Sequence, residues 1–202
     1  RDIWEEQLKW LESGEPFVLA RVIRTWRSAP RKSGAGMLIA KGMDNAPLPK
    51  VLGSVSGGCI EGAVIEEALD ALETSESRRL SFGVEDELAL SVGLSCGGEV
   101  TVLLEKHWAF SADPNTQKVW ETLKNCISNN MPAILISPLL VESGLSTENK
   151  EPLLILPEGE NVGGMQNNLE EVTALAEEAY KERENRIVEI GGEEYFMQIF
   201  PR

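Results

Sequence analysis

A glycine- and serine-rich turn that ends in a cysteine stands directly before a helical pattern near residue 60. Its sequence is GSVSGGC, and the residues able to do chemistry there are Ser54, Ser56, Gly57, Gly58 and Cys59. Glycines before a helix allow backbone N–H groups to converge on an anion, and the helix N-terminus adds a favourable partial charge. A thiol at this position is expected to have a lowered pKa. The alternative interpretation is a strand-to-helix turn whose small residues only allow close packing.

A second turn resembles the first in reverse. The sequence GLSCGG, which contains Cys96, Gly97 and Gly98, leads into the apolar strand pattern EVTVLLE. If both turns lie at one edge of a sheet, Cys59 and Cys96 face a common cavity. The alternative is that each cysteine is a small buried residue in its turn.

The loop RTWRSAPR is the third segment that could bind a ligand. It supplies Arg24, Arg31 and Trp26 together with hydroxyl groups. Guanidinium groups bind phosphate in a bidentate manner and stack on aromatic faces, so the loop suits an anionic ligand with a flat ring. The alternative is a solubilising loop whose arginines pair with the acidic residues of the protein.

The distribution of charge supports a local anion site. The 202 residues carry a net charge of −14, but residues 17–43 contain six basic residues and no acid, which leaves −20 on the rest. The acidic balance argues against nucleic acid or an anionic membrane as a partner, because both require a basic surface. No apolar run reaches the roughly 20 residues of a membrane span, and no signal peptide is predicted. The chain opens on Arg1, which suggests processing or trimming.

Scarce residue types limit the chemistry further. His107 is the only histidine, so a three-histidine metal site is excluded, and its position at the end of an apolar run is typical of a structural residue. The three cysteines form no C-x-x-C motif, which indicates a reducing cytoplasmic setting rather than a disulfide framework. The third, Cys126, falls on the apolar face of a predicted helix and is interpreted as core packing.

Hydrophobic periodicity predicts a mixed α/β fold in which helices cover a sheet, with a C-terminal β-hairpin around Gly191-Gly192. Asp113 and Pro114 have the order expected at a helix start. Residues 1–110 hold the motifs, and residues 111–202 form a second α/β half that is expected to pack on the first as one compact unit. Strands are predicted in FVLARVI, GMLIA, VLGSV, RRLSFG, EVTVLLEK, PAILIS, PLLILP, IVEI and EYFMQIF, and helices around residues 4–11, 58–73, 114–127 and 168–184.

As a set, the motifs resemble the XdhC/CoxI family. TWRSAPRKSGAGM, GSVSGGCIEGAVIEEAL and FGVEDE followed by VGLSCGG occur in family order and cover roughly residues 15–105. Members are accessory proteins of xanthine dehydrogenase and related molybdenum hydroxylases. The resemblance implies an accessory protein that binds the molybdenum cofactor, or molybdopterin, transiently and assists its sulfuration and insertion. It implies an apo molybdenum hydroxylase as partner, with a cysteine desulfurase and a second copy in a homodimer as further candidates, and no turnover of its own.

By this resemblance, the matching positions are Arg24, the turn from Ser54 to Cys59, and the turn from Cys96 to Gly98. We expect Arg24 and the Ser56–Gly58 turn to hold the phosphate or pterin. Cys59, Cys96 or both are expected near the molybdenum–sulfur end as soft ligands or sulfur-handling thiols. Members commonly continue into a dinucleotide-binding domain. No G-x-G-x-x-G occurs in this chain, so no NAD binding is predicted.

Two hypotheses from other functional classes compete with this one. A thiol-based redox enzyme would use Cys59 and Cys96 as a pair, which requires their Cα atoms within about 7 Å. A structural interaction module would instead dock a basic partner on its acidic helix faces.

Overall fold

Two antiparallel five-stranded sheets, one in each of two compact units, organise the described part of the chain. The computed structural model describes residues 2–26, 32–42, 47–58, 60–83, 98–139, 151–164 and 168–201. The first unit extends to His107, and the second begins at Trp108. The predicted packing of residues 1–110 and 111–202 as one compact unit stays a prediction.

The first unit contains two helices and five strands among the described residues. Its sheet has the order β3-β2-β1-β5-β4, so that β1 is the central strand. The elements are α1 (Ile3–Glu12), β1 (Phe17–Trp26), β2 (Gly36–Ala40), β3 (Lys50–Gly53), α2 (Glu61–Thr74), β4 (Arg78–Phe82) and β5 (Glu99–Lys106).

Helix α2 covers one face of this sheet. Its buried residues Val64, Ala68 and Ala71 pack with Val18 and Val102 in a single apolar cluster. Strand residues that point toward this cluster alternate with residues on the other face, as the pleat of a strand requires. The helix predicted around residues 58–73 is therefore confirmed, and its apolar residues Ile60, Val64, Ala68 and Ala71 are buried against the sheet.

Polar side chains are also buried inside the first unit. Gln7 and His107 are both fully buried, and His107 Nε2 lies 2.8 Å from Gln7 Oε1. The ring of Phe17 packs against the His107 ring with the centroids 4.9 Å apart. Arg21 Nη2 donates to Glu105 Oε1 at 2.5 Å across β1 and β5. His107 thus has the structural role predicted for a strand-end histidine, and it ties α1 to the end of β5.

The second unit repeats the same plan with a different sheet. The order is β8-β7-β6-β10-β9, and all neighbours are antiparallel. The elements are a 3-10 helix (Trp108–Phe110), α3 (Pro114–Ser128), β6 (Ala133–Pro138), β7 (Leu153–Ile155), β8 (Asn161–Gly163), α4 (Leu169–Glu182), β9 (Arg186–Ile190) and β10 (Glu193–Phe200).

The local signals predicted for this half are confirmed. Asp113 caps α3 because its Oδ2 accepts from Thr116 N at 3.0 Å, and Pro114 occupies the first turn. Cys126 is buried on the apolar face of α3, and burial raises its thiol pKa. Gly191 and Gly192 both have positive φ between β9 and β10, as a two-residue hairpin turn requires.

The mixed α/β fold, the helix-covered sheet arrangement and the C-terminal hairpin are therefore confirmed, with the strands divided between two sheets. The predicted strand VLGSV is shorter than expected, since β3 ends at Gly53. None of the helices in the described ranges combines the length and the hydropathy that crossing a membrane requires.

We expect Gly53→Ala to destabilise the first unit by about 2 kcal/mol, because Gly53 has a φ of 88° and a Cβ there would lie 2.5 Å from Gly36 O. Urea denaturation measures the change in the free energy of unfolding. Gly62→Ala is the matched control. It lies inside α2, and a Cβ added there would meet no atom within 4 Å, so alanine should stabilise the unit by about 0.5 kcal/mol. Equal effects of the two substitutions would contradict the role assigned to Gly53.

His107 should make stability depend on pH, because burial, and then the charge of Arg21, lower its pKa to about 3. Below pH ~6.5 the unfolded chain binds a proton that the folded chain does not, so stability present above that pH is lost as the pH falls toward about 3. Between pH 7 and pH 5, the wild type should lose about 2 kcal/mol more than His107→Gln. Urea titrations at both pH values measure this difference. Parallel losses would show that His107 is not buried in its neutral form.

Candidate functional site

The turn after β3 begins with a close approach between two strands. Ser54 N donates to Gly36 O at 3.2 Å, directly after Gly53 has turned the chain with a positive φ. Gly57 and Gly58 continue the turn with φ values of 75° and 112°, which L side chains rarely adopt. Gly57 N donates to Ser54 Oγ at 2.8 Å. The sequence folds into this turn because its glycines permit backbone angles that other residues avoid.

The carboxylate of Glu61 closes the turn. It accepts hydrogen bonds from Ser56 N at 3.1 Å and from Gly58 N at 2.7 Å. The hydroxyl of Ser56 also donates to this carboxylate, and Ser56 Oγ accepts from Ile60 N at 2.9 Å. Glu61 is the first residue of α2, where the partial positive charge of the helix N-terminus favours a carboxylate.

The predicted convergence of N–H groups on an anion is therefore present, and the anion is the protein's own side chain. Ser56 is fully buried, whereas Gly57 and Gly58 are exposed. Among the described residues of the turn, the two glycines are the most exposed to an external anion. To bind their N–H groups, it must replace the acceptor oxygens of Glu61 and Ser54.

Arg24 lies at the same end of the sheet as this turn, but on the face of the sheet that α2 does not cover. It lies opposite Thr101 in the pairing of β1 with β5, after a bulge at Val22/Arg24. Thr101 Oγ1 in turn lies 3.1 Å from Ser81 Oγ, and Thr101 alternates with Val100 and Val102, which pack under α2. Directly opposite residues share a face, so Arg24 emerges, exposed, on the side away from α2.

The remaining predicted residues divide into two groups. Trp26 ends β1 opposite Glu99, and Gly98 is buried immediately before β5. The described members of the predicted site thus lie at one end of the sheet, where β1 and β3 are two strand spacings, or about 10 Å, apart. Arg31, Cys59, Cys96 and Gly97 lie outside the described residues. The proximity of Cys59 and Cys96, and the redox hypothesis that needs it, therefore stay predictions.

Sequence reasoning missed Glu61 as a member of this turn. The signal that could have found it was its position, because an acid at the start of a helix that follows a glycine turn is well placed to accept the free N–H groups of that turn.

Residues 10–83 match the XdhC and CoxI family. This segment contains Arg24, the turn from Ser54 to Gly58 and Glu61, and it ends before Gly98. Part of the predicted site thus lies in the matched segment and part beyond it.

Three curated proteins are similar to about half of the chain. The molybdenum cofactor insertion chaperone PaoD of Escherichia coli is 31% identical over 106 residues, which is 52% of this chain and 31% of that protein. The uncharacterised protein YqeB of the same organism is also 31% identical over 106 residues, 18% of its own length. A protein of Bacillus subtilis, named as a probable component of xanthine dehydrogenase, is 30% identical over 119 residues, 58% of this chain and 33% of that protein.

A solved structure described as a xanthine dehydrogenase from Bacillus halodurans shares the fold. It has a TM-score of 0.68 and 21% sequence identity, and the match covers 99% of this chain and 53% of that one. The fold of both units is therefore that of a known protein. The chain spans about half the length of this structure, and its matches cover a third or less of the curated relatives.

Ser56→Ala should destabilise the first unit by about 1–2 kcal/mol, because the buried Ile60 N–H and the Glu61 carboxylate both lose a partner. Ser54→Ala is the control, since Ser54 Oγ accepts a single hydrogen bond in an exposed position, and we expect a loss below about 0.5 kcal/mol. Chemical denaturation of both variants tests the difference. Equal losses would mean that Ser56 and Glu61 do not hold the turn.

Proposed function

Because residues 10–83 of this chain match the XdhC and CoxI family, we propose that the protein binds the molybdenum cofactor as cargo. In this proposal it assists sulfuration of the cofactor and its insertion into a xanthine dehydrogenase-type molybdenum hydroxylase. The observation that carries the proposal is the match over Arg24 and the glycine turn, together with the name of one relative, a molybdenum cofactor insertion chaperone.

The chemistry of the cofactor fits the donors at this end of the first sheet. Molybdopterin carries a phosphate and a planar ring system, and backbone N–H groups at a helix start together with a guanidinium are suitable phosphate ligands. We propose that Arg24 and the exposed glycines Gly57 and Gly58 bind the phosphate or the pterin. Arg24 and the turn lie on opposite faces of the sheet, so a ligand that contacts both extends across its end.

Further contacts of the cargo are proposed from the sequence motifs. Trp26 and Arg31 would flank the planar ring, and Gly98 would allow close approach of the backbone. Cys59 and Cys96, with Gly97 beside the latter, would lie near the molybdenum–sulfur end. When bound, the cofactor supplies the soft metal and sulfur to which thiols have high affinity.

Glu61 makes binding competitive in this proposal. The anionic group of the cargo and the Glu61 carboxylate require the same Gly58 N–H, which Glu61 holds at 2.7 Å. Hydrogen bonds to charged acceptors are stronger than those to neutral ones, so replacing this carboxylate by a neutral amide should favour the cargo. Glu61 thereby sets how readily the turn releases its own anion and takes up another.

The partners follow from the same proposal. An apo molybdenum hydroxylase would receive the cofactor, a cysteine desulfurase would supply sulfur, and the protein would act in the cytoplasm, with a homodimer as its candidate assembly. The protein would be a maturation factor and not itself an enzyme.

A cofactor-retention experiment tests the function. Purified protein is mixed with cofactor released from a molybdoenzyme, desalted, and assayed for bound molybdopterin. The wild type should retain it stoichiometrically, and Arg24→Ala should bind about tenfold more weakly because a charged hydrogen-bond donor is lost. Glu61→Gln should bind about five- to tenfold more tightly, since the competing acceptor becomes neutral.

Lys118→Ala is the control, because Lys118 is an exposed residue of α3 in the second unit, and it should bind like the wild type. Absence of stoichiometric retention would overturn the proposed function. Retention that is unaffected by Arg24→Ala and Cys59→Ala would overturn the assignment of these residues to the site.

A further inference from the structure

A cavity of about 530 Å³ opens in the first unit at the end of the sheet opposite the glycine turn. Its walls come from the chain just before β1, just after β2 and at the end of β5, together with the last turns of α2. Phe17 pairs with Ala40, and Val18 with Lys106, so these segments meet at one sheet end. The size is in the range of small-molecule sites.

The inner surface of this cavity is mainly apolar. Leu69 and Leu72 of α2 and Pro16 provide the apolar lining, and both leucines are only partly buried although they pack against the core of the first unit. The wall is held by a hydrogen bond from Gly42 N to Glu15 Oε1 at 2.8 Å. The cavity therefore has a preformed apolar surface for the body of a ligand.

Two ammonium groups accompany the apolar surface. Lys41 and Lys106 both line the cavity, and the ammonium group of neither has an ion-pair or hydrogen-bond partner among the described residues. Of the two carboxylates in the lining, Glu15 is engaged by Gly42 N, and Glu73 lies exposed at the end of α2. Among the described residues that line the cavity, two ammonium groups without a partner face one uncommitted carboxylate, and this balance favours an anionic ligand.

The cavity is separate from the turn that we propose for the cofactor. Glu61 and Glu73 are twelve residues apart on α2, which corresponds to about 18 Å along the helix axis. No described residue of the turn lines the cavity. A ligand could therefore occupy this cavity whether or not the proposed function is correct.

We propose that this cavity is a second ligand site, which takes a small organic anion with an apolar body. The body, an aromatic or branched aliphatic group, lies against Leu69, Leu72 and Pro16. Its single carboxylate or sulfonate pairs with Lys41 and Lys106. This ligand class differs from a phosphate-bearing pterin, because the binding surface is mainly apolar and the cations are flexible ammonium groups rather than backbone donors.

Fluorescence titration with 8-anilinonaphthalene-1-sulfonate tests the site, because this probe joins an aromatic body to one anionic group. The wild type should bind one equivalent saturably. Lys41→Gln and Lys106→Gln should each weaken binding about two- to fivefold, the effect of one partly exposed ion pair. Glu73→Gln should strengthen binding by up to about twofold, since it removes the opposing charge.

Two controls make the result specific. Lys118→Gln, in the second unit, should leave the affinity unchanged, and the uncharged analogue N-phenyl-1-naphthylamine should bind more weakly than the sulfonate. Methyl NMR signals of Leu69 and Leu72 should shift on titration, while those of Val172, buried in the second unit, should not. Absence of saturable one-to-one binding, affinity unaffected by both lysine variants, equal binding of the uncharged analogue, or shifts outside these leucines would each overturn the proposal.

Discussion

The hydrogen bonds between the Glu61 carboxylate and the turn before it are the interaction on which the first unit most depends. They fix the residue at which α2 begins, and through Ile60 and Val64 they set which helical face meets the sheet. The turn needs glycines at positions 57 and 58 for its backbone angles. The N–H groups of these glycines require hydrogen-bond acceptors from elsewhere in the turn. The Glu61 carboxylate accepts from Gly58 N and Ser56 N, and Ser54 Oγ accepts from Gly57 N. The carboxylate lies on the first helical residue and also benefits from the helix dipole.

The same interaction changes the meaning of the glycine-rich motif. A turn of this kind is usually interpreted as an empty cradle for an anion, whereas here the cradle already holds a negative group of the protein. Uptake of a ligand is then an exchange of one anion for another. Its free energy is the difference between two sets of similar hydrogen bonds and is smaller than the strength of either set. Such a balance would suit release of the cargo that we propose for this turn.

Periodicity in the sequence was sufficient for most secondary structure, because buried strands such as FVLARVI and the face of α2 follow simple apolar patterns. Partition of the strands into two sheets was not predictable in this way, since it depends on pairings distant in sequence. The apolar spacing predicted the range of α1, whose buried residues are Ile3, Trp4, Gln7 and Trp10. Gln7 is buried because it contacts His107, a partner that only the fold brings close.

For the candidate site, the sequence motifs indicated Arg24 and the turn. The face of the sheet on which Arg24 lies depends on the bulge and the pleat of β1, and neither is visible in the sequence.

The segment that matches the family ends within the first unit, because the central strand β1 pairs with a strand that lies beyond that segment. The family match ends at residue 83, whereas β1 pairs along its length with β5 at Glu99–Lys106. A fragment cut at the end of the match would expose one entire edge of β1, with apolar residues on both of its faces, and such an edge is a template for aggregation. It would also leave Gln7 and Arg21 buried without His107 and Glu105, their partners 100 and 84 residues further along the chain. During synthesis, therefore, the first sheet cannot be completed until the chain has been made as far as His107, well beyond the end of the segment that matches the family.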